Sequence, residues 1–264
     1  MSDQDQKDID ATKAPLMEHL IELRRRLIWS LGAIAIAFAV CFYFSRPLYN
    51  LLLWPYRLAA GVDTQIEMIY TAPQEFFFTE MKLALFGAVF IAFPVIASQI
   101  WLFVAPGLYR SEKRALLPFL LATPVLFGLG ASFAYFFAVP GALHFLLGYQ
   151  GNVGGVEQEA LPAADNYLKF IMQFLFGFGV SFLMPVLLML VERAGIVTLG
   201  QLVRAWRYAI LGCFAVALFL APPDAGSMIM LALPLVGLYV LTLGVIWLTH
   251  RRRDRQPAPD AETA

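Results

Sequence analysis

The stretch 81–104, MKLALFGAVFIAFPVIASQIWLFV, decides the fold of this chain. Its only ionisable side chain is Lys82, next to the start of the run. A helix of roughly 20 mostly apolar residues spans about 30 Å of hydrocarbon, so this stretch predicts a transmembrane helix. Further runs that qualify, or come close, occupy residues 27–44, 116–139, 170–191, 208–221 and 228–248.

The composition agrees with a membrane protein that crosses the bilayer several times. The 264 residues are 60% hydrophobic and 14% charged, whereas a soluble domain is roughly 45–50% apolar and about 25% charged. The 23 phenylalanines exclude a disordered chain. The 19 basic and 19 acidic residues cancel, so no basic field for nucleic acid is expected. The sequence predicts an all-α polytopic membrane protein with six spans.

Proline inside the spans predicts kinked helices, because each ring removes a backbone donor. Small residues in the third and fourth spans allow helices to approach closely. A concave bundle of bent helices is expected, with two long outer loops at about 45–80 and 140–166. The prolines are Pro94, Pro118, Pro124, Pro185 and Pro234, and the small residues are Gly128, Gly130, Ser132, Gly177, Gly179 and Ser181.

The fifth span is unusually short. Only fourteen residues separate Arg207 from Pro222, which is about 21 Å of helix at 1.5 Å per residue. A helix of that length is expected to lie in thinned bilayer or to be sheltered by its neighbours.

Basic residues are distributed asymmetrically between the two sides of the predicted spans. Fifteen of the 19 fall in the first 26 residues, in the loops after the second and fourth spans, and in the C-terminal tail. The positive-inside rule then places both termini in the cytoplasm. The expected organisation is a cytoplasmic tail at 1–15, a membrane domain at 16–248 that begins with an interfacial helix at 16–26, and a cytoplasmic tail at 249–264.

Motifs for common membrane enzymes are missing from the sequence. It has no phosphate-binding glycine loop, no HExxH and no GxSxG. The histidines, His19, His144 and His250, are far apart, and Cys41 and Cys213 stand in separate apolar runs as small core residues. No enzyme activity, metal or cofactor is expected.

The spans carry only mildly polar groups at depth, namely Gln99, Ser98, Thr123, Gln173 and Ser181. Hydrogen bonding between helices is the plainer interpretation of these groups. Ionisable residues in mid-span mark ion pathways and proton relays, so their absence argues against a proton-coupled transporter.

Segment 16–27, LMEHLIELRRRL, is strongly amphipathic. Its leucines recur at helical spacing and form one stripe. His19, Glu22 and Arg26 form another stripe, in which Glu22 and Arg26 are a favourable i,i+4 pair. The spacing predicts an interfacial helix that leads into the first span. On spacing alone, Glu22 could simply be a solvated partner of Arg26.

The loop 106–114, PGLYRSEKR, joins the second and third spans. Glu112 is its only acid and lies among Arg110, Lys113 and Arg114. This carboxylate could be a surface charge, or it could be presented to a guanidinium group, for which a planar carboxylate is well matched. Composition does not choose between the two.

Several segments resemble the TatC family, the six-span subunit of the twin-arginine protein translocase. They are HLIELRRRL at 19–27, QIWLFVAPGLYRSEKR at 99–114, FAYFFAVP at 133–140, FGVSFLMPV at 178–186 and LAPPD at 220–224. The resemblance implies a receptor for twin-arginine signal peptides in the bacterial inner membrane. It also implies an oligomeric complex with single-span TatA and TatB partners among membrane lipids, which moves folded proteins at the expense of the protonmotive force.

The same resemblance implies which residues recognise the peptide. Glu22 and Arg24 match the family's N-terminal motif, and Phe103 and Glu112 match positions around the first cytoplasmic loop. Without the resemblance, Phe103 would be an ordinary interface aromatic. Polar positions that could contact a partner helix, or serve structure alone, are Gln99, Gln173, Ser181 and Asp224.

One position departs from the family pattern. Many relatives carry Glu or Gln two residues before the proline of the fourth span, where this chain has Leu183. The family's polar group for docking a partner helix is therefore absent at this position. Gln173 or Ser181 could substitute for it. Asp224 matches the acid after the fifth span, and it could equally cap the sixth helix.

Two other classes of protein compete with a translocase receptor. A six-helix transporter of a small solute or ion would be expected to show mid-span charges or an inverted repeat. An intramembrane enzyme would need a nucleophile next to a base. The sequence offers neither, so the transporter remains only as an alternative.

Overall fold

The apolar runs form long helices in a computed structural model, which describes residues 3–61, 68–70, 72–108, 113–148, 151–153, 156–158, 162–193, 195–220 and 225–253. The helices are α1 Asp3–Tyr43, α2 Ser45–Ala60, α3 Glu75–Leu108, α4 Lys113–Phe133, α5 Val139–Leu147, α6 Ala164–Ser181, α7 Met184–Arg193, α8 Leu199–Arg204, α9 Trp206–Leu220 and α10 Ala225–Arg253. A π-helical turn, Ala134–Ala138, joins α4 to α5, and two short antiparallel strands, β1 Gly151–Val153 and β2 Val156–Gln158, form a hairpin.

Five helical segments among the described residues are long and apolar enough to cross a membrane. They are His19–Tyr43, Glu75–Phe103, Phe119–Leu147, Ala164–Arg193 and Ala225–Thr249. A shorter apolar helix, Trp206–Leu220, corresponds to the short fifth run. It has 15 residues, or about 22 Å of helix. The largely helical membrane fold predicted from the sequence is therefore confirmed.

The first helix continues without a break through the amphipathic segment and the first apolar run. One helix, α1, covers Asp3–Tyr43. The segment 16–26, predicted as an interfacial helix, is thus the same helix as the run that follows it. The side-chain stripes of both segments belong to one continuous surface.

The two outer segments predicted as long loops contain short helices that the sequence analysis did not predict. Helix α2 occupies Ser45–Ala60 and buries Leu52, Leu53 and Tyr56 along one face. Helix α5 buries Val139, Ala142 and Leu143 at i, i+3 and i+4. Both are short amphipathic helices stabilised by packing, which a search for long apolar runs does not detect.

The chain divides into two compact units, one of Met1–Leu51 with Ala72–Pro124 and the other of Leu52–Thr71 with Val125–Ala264. In the first unit α1 packs along α3 through small residues, with Ala37, Ala88 and Ala92 in the buried cluster. A Cβ atom at Gly87 would lie 2.8 Å from Leu48 Cδ2. The indole N–H of Trp101 also donates to Thr123 Oγ1, 2.7 Å away, and joins α3 to α4.

In the second unit α4 and α6 meet through glycines. A Cβ atom at Gly130 would lie 2.5 Å from the carbonyl oxygen of Phe178, and one at Gly179 would lie 2.6 Å from Phe127 Cε2. The expectation of close approach is confirmed at these two positions. A Cβ atom at Gly128 would meet nothing within 4 Å, so Gly128 takes no part in this contact.

Tyrosine hydroxyls join other helices of the second unit. Tyr167 donates to the Leu52 carbonyl, 2.6 Å away, and joins α6 to α2. Tyr239 donates to the Leu202 carbonyl, 2.7 Å away, and joins α10 to α8. Cys41 and Cys213 are buried free thiols, as expected of small core residues.

The fourth span is divided at its proline. Helix α6 ends at Ser181 and α7 begins at Met184. The N–H of Leu183 bonds to the Val180 carbonyl, 3.0 Å away, which tightens the last turn. Pro185 has no N–H to continue the ladder. A kink was predicted at Pro185, and the helix is interrupted just before it, whereas α3 continues through Pro94 and α4 through Pro124.

Candidate functional site

A polar stripe of α1 lies against α3 in the first unit. His19, Glu22 and Arg26 follow one another at i, i+3 and i+7, so they share a face of the helix. Gln99 and Phe103 are four residues apart on α3 and share a face for the same reason. Packing of α1 along α3 brings Glu22 and Arg26 of the first face and Gln99 of the second into one groove.

Glu22 and Arg26 form an ion pair in this groove. Arg26 Nε lies 3.1 Å from Glu22 Oε1, and Arg26 Nη2 donates to the same oxygen. The exposed fractions are 20% for the Arg26 side chain and 35% for the Glu22 side chain. The i,i+4 pair predicted from spacing is therefore present, and it is partly withdrawn from solvent.

His19 joins α1 to Phe103 of α3. The two ring centroids are 4.2 Å apart and the rings are inclined by 20°, which is a stacked arrangement. Stacked rings at this separation attract one another beyond their burial. The contact places Phe103 one helical turn along α1 from Glu22.

A cavity of about 510 Å³ opens beside the ion pair. Its lining combines polar and apolar side chains, namely Ile21, Glu22, Arg25, Arg26, Trp29, Gln99 and Leu102. Among the described residues, no hydrogen bond or ion pair engages the Arg25 guanidinium. The groove can therefore accept a side chain that has both an apolar stem and a polar head.

The other residues predicted for peptide recognition are placed differently. Arg24 is exposed on α1 and does not line the groove. Glu112 and Asp224 lie outside the described residues. The groove accordingly unites Glu22 with Gln99, while Phe103 is held at its edge by His19.

The polar residues of the fourth span lie in the second unit. The side-chain amide of Gln173 donates to the Phe219 carbonyl near the end of α9. Ser181 is the last residue of α6, and Leu183 lies in the interruption before α7; both are half-buried. Gln173 therefore makes a hydrogen bond between α6 and α9. This is the structural role considered for it in the sequence, rather than a contact to a partner helix.

Sequence reasoning missed the part played by His19. It placed His19 on the same stripe as Glu22 but assigned it no contact, because its partner is distant in sequence. The i, i+3 spacing with Glu22 was the available signal.

Within the described ranges, no group of three or more potential metal ligands occurs.

Comparison with known proteins gives one consistent result. The family model "Sec-independent protein translocase protein (TatC)" matches residues 18–234. A TatC protein of Magnetococcus marinus is 42% identical over 248 residues, which cover 94% of this chain and 89% of that protein. A TatC protein of Aquifex aeolicus is 37% identical over 90% of this chain and 97% of that protein.

A solved structure agrees with these relatives. The crystal structure of a twin-arginine translocase receptor, TatC, superposes with a TM-score of 0.76 at 37% sequence identity. The match covers 86% of this chain and 98% of that chain. The likeness therefore extends over most of the chain.

Proposed function

This chain belongs to the TatC family, and from that premise we propose that it is the signal-peptide receptor and core subunit of a twin-arginine translocase. It is a multi-pass membrane protein of the Sec-independent translocase. Its ligand is a signal peptide with two adjacent arginines, carried by a folded precursor. Its task is to bind and pass on that precursor.

The observation that carries the proposal is the groove in which Glu22 lies one helical turn from Phe103. A carboxylate that is two-thirds covered offers a guanidinium group a charge-assisted hydrogen bond. The surrounding low-dielectric medium screens such a pair less than bulk water does. The Phe103 ring, fixed by His19, supplies an apolar surface next to that charge.

Two arginines in the ligand call for two acceptors. Glu22 provides one, and Glu112 is the second by its position in the family motif. Glu112 lies outside the described residues, so its assignment rests on the resemblance alone. Arg24, also taken from the motif, is exposed and serves best as a contact to the membrane surface or to the precursor.

The orientation, location and partners belong to the same proposal. Fifteen of the 19 basic residues fall in the termini and in the loops after the second and fourth spans, which supports cytoplasmic termini in an inner membrane. The expected partners are single-span TatA- and TatB-type subunits in an oligomeric complex driven by the protonmotive force. The short helix α9 is the preferred docking surface, because a short span favours contact with other helices.

Binding of two peptides tests the receptor assignment. A twin-arginine peptide and its twin-glutamine counterpart are titrated onto the full chain in lipid nanodiscs. Glu22→Gln and Glu112→Gln should each lower the affinity for the twin-arginine peptide by roughly 5- to 150-fold, because one guanidinium loses its acceptor. The twin-glutamine peptide should bind equally to wild type and to both variants.

Glu80→Gln is the matched control, since it removes a carboxylate from the opposite end of α3. It should leave both affinities unchanged. If neither Glu22→Gln nor Glu112→Gln distinguishes the two peptides while the protein remains folded, the assignment of these carboxylates is wrong.

A further inference from the structure

The carboxylate assigned to the peptide is already bound to a guanidinium of the same chain. Both described hydrogen bonds of Glu22 come from Arg26, from Nε at 3.1 Å and from Nη2, and both end on Oε1. Arg26 is also the more covered partner, with 20% of its side chain exposed. The Arg26 side chain is therefore the less accessible member of the pair.

This geometry conflicts with the strongest way of binding an incoming arginine. A guanidinium and a carboxylate pair best as two parallel N–H···O bonds that use both oxygens. Oε1 of Glu22 carries two donors already. A peptide arginine can reach the two-oxygen arrangement only after Arg26 has left Oε1.

We propose that Arg26 is a resident competitor of the signal-peptide arginine and thereby sets the affinity of the receptor. This inference rests on the proposed function, because it concerns the same carboxylate. The two competitors carry the same chemical group, so the exchange replaces one guanidinium–carboxylate pair by another. The empty receptor keeps Glu22 neutralised, and the loaded receptor releases Arg26.

The groove offers a place for the displaced side chain. Its walls include Gln99, whose amide oxygen can accept an N–H, and Trp29, whose ring face can receive a guanidinium. The volume of about 510 Å³ is ample for one arginine side chain. Arg26 can thus change partner without crossing an apolar layer.

The exchange makes binding weaker and more readily reversible than an unoccupied carboxylate would. An i,i+4 ion pair on a helix is a modest interaction, so the penalty that it imposes on the peptide is small. A receptor that must hand its precursor onward benefits from such a penalty. Removal of Arg26 should accordingly strengthen the binding of twin-arginine peptides by about 1.5- to 5-fold.

The test uses Arg26→Met in the full chain in nanodiscs, because methionine keeps an unbranched apolar stem and has no donor. Arg25→Met is the matched control. It removes an identical charge from the same groove, but Arg25 makes no bond to Glu22. Arg26→Met should increase the affinity for the twin-arginine peptide clearly more than Arg25→Met does. Neither variant should change the affinity for the twin-glutamine peptide by the same factor.

Two further variants complete the design. Arg26→Lys keeps the charge but cannot present two donors from one planar group, so its affinity should fall between those of wild type and Arg26→Met. In a protein that also carries Glu22→Gln, Arg26→Met should no longer increase the affinity for the twin-arginine peptide. Arg26→Lys also keeps the test decisive if Arg26→Met fails to fold.

The possible outcomes separate this inference from the proposed function. If Glu22→Gln weakens the twin-arginine peptide but Arg26→Met does not exceed Arg25→Met, the competitor role is overturned and the receptor site stands. If Arg26→Met weakens binding, Arg26 positions the carboxylate instead, and the competitor role is again overturned. If Glu22→Gln has no effect while wild type still prefers the twin-arginine peptide, the assignment of Glu22 in the proposed function fails, and the competitor role fails with it.

Discussion

His19 and Phe103 show how one ring contact can restrain a residue that we propose to contact the signal peptide. Phe103 could rotate about its side-chain bonds if its ring faced only lipid or water. The imidazole of His19 lies 4.2 Å from it, centroid to centroid, and nearly parallel. A contact of this kind is worth about 0.5–1.5 kcal/mol. That is enough to favour one orientation of the Phe103 ring strongly.

Substitution of His19 should separate the ring contact from the imidazole itself. His19→Ala removes the stacked contact. It should lower the affinity for the twin-arginine peptide by about 2- to 12-fold, which corresponds to the energy of one aromatic pair. His19→Phe keeps a flat ring and should bind within about twofold of wild type. Both are measured by peptide titration. Equal loss in the two variants would mean that the imidazole, not the stack, is what matters.

The residues of the site were only partly predictable from the sequence. The Glu22–Arg26 pair follows from i,i+4 spacing within one helix, and the structure has it. The stack of His19 on Phe103 joins two helices that are remote in sequence. Such a contact depends on which faces of α1 and α3 meet, and local spacing does not encode that choice.

At the scale of single elements, α9 requires support at its end. The last carbonyls of a helix have no intrahelical partner, and lipid offers no water to satisfy them. The Gln173 amide donates to the Phe219 carbonyl. One turn further along α6, a Cβ atom at Gly177 would collide with the Leu220 side chain, so glycine is what makes room there. Helix α6 thus holds the end of the short helix.

Loss of the Gln173 amide should destabilise the protein. Gln173→Leu leaves the Phe219 carbonyl without its donor, and the net loss of one such exposed hydrogen bond costs about 0.5–1.5 kcal/mol. The measurement is the unfolding free energy in detergent micelles. Ser181→Ala, at the end of the same helix, is the control and should change stability by less than about 0.5 kcal/mol. A Gln173→Leu protein as stable as the control would show that the carbonyl finds another donor.

The sequence predicted helices best where an apolar run must cross the hydrocarbon layer of the membrane. The long apolar runs and the short fifth run appear as helices because a span must cover a fixed distance. Helix α2 was missed, because its 16 residues do not form one of the long apolar runs by which the spans were identified. Its burial of Leu52, Leu53 and Tyr56 depends on tertiary packing, which outweighs local propensity.

For the whole molecule, the basic residues predict one orientation in the membrane. Single cysteines at Ser111 and Asn152 are introduced into a chain that lacks Cys41 and Cys213. A membrane-impermeant thiol reagent should label Ser111→Cys only from the cytoplasmic side and Asn152→Cys only from the opposite side, because the positive-inside rule places them so. Labelling of both from one side would contradict the six-span arrangement.

The order of the apolar helices was predictable, whereas their pairing was not. Apolar composition shows that a helix lies in the membrane. It does not show which neighbouring helix it contacts, because apolar side chains are equally suited to lipid and to another helix. Lipid tails are as apolar as leucine, so packing between helices is decided by small residues and polar contacts. The contacts at Gly130, Gly179 and Thr123 are of that kind. Their partners become known only from the fold.

The interruption at Phe182 and Leu183 also has a mechanical consequence. An unbroken helix behaves as a stiff rod, and a push at one end tilts the other. Here the rod is in two pieces, α6 and α7, and bending concentrates where the hydrogen-bond ladder stops. Bending of the fourth span is therefore expected at this joint. Helix α6 contacts α4 at Gly130 and Gly179, and α7 packs against α10, so each half of the span is supported by a different neighbour.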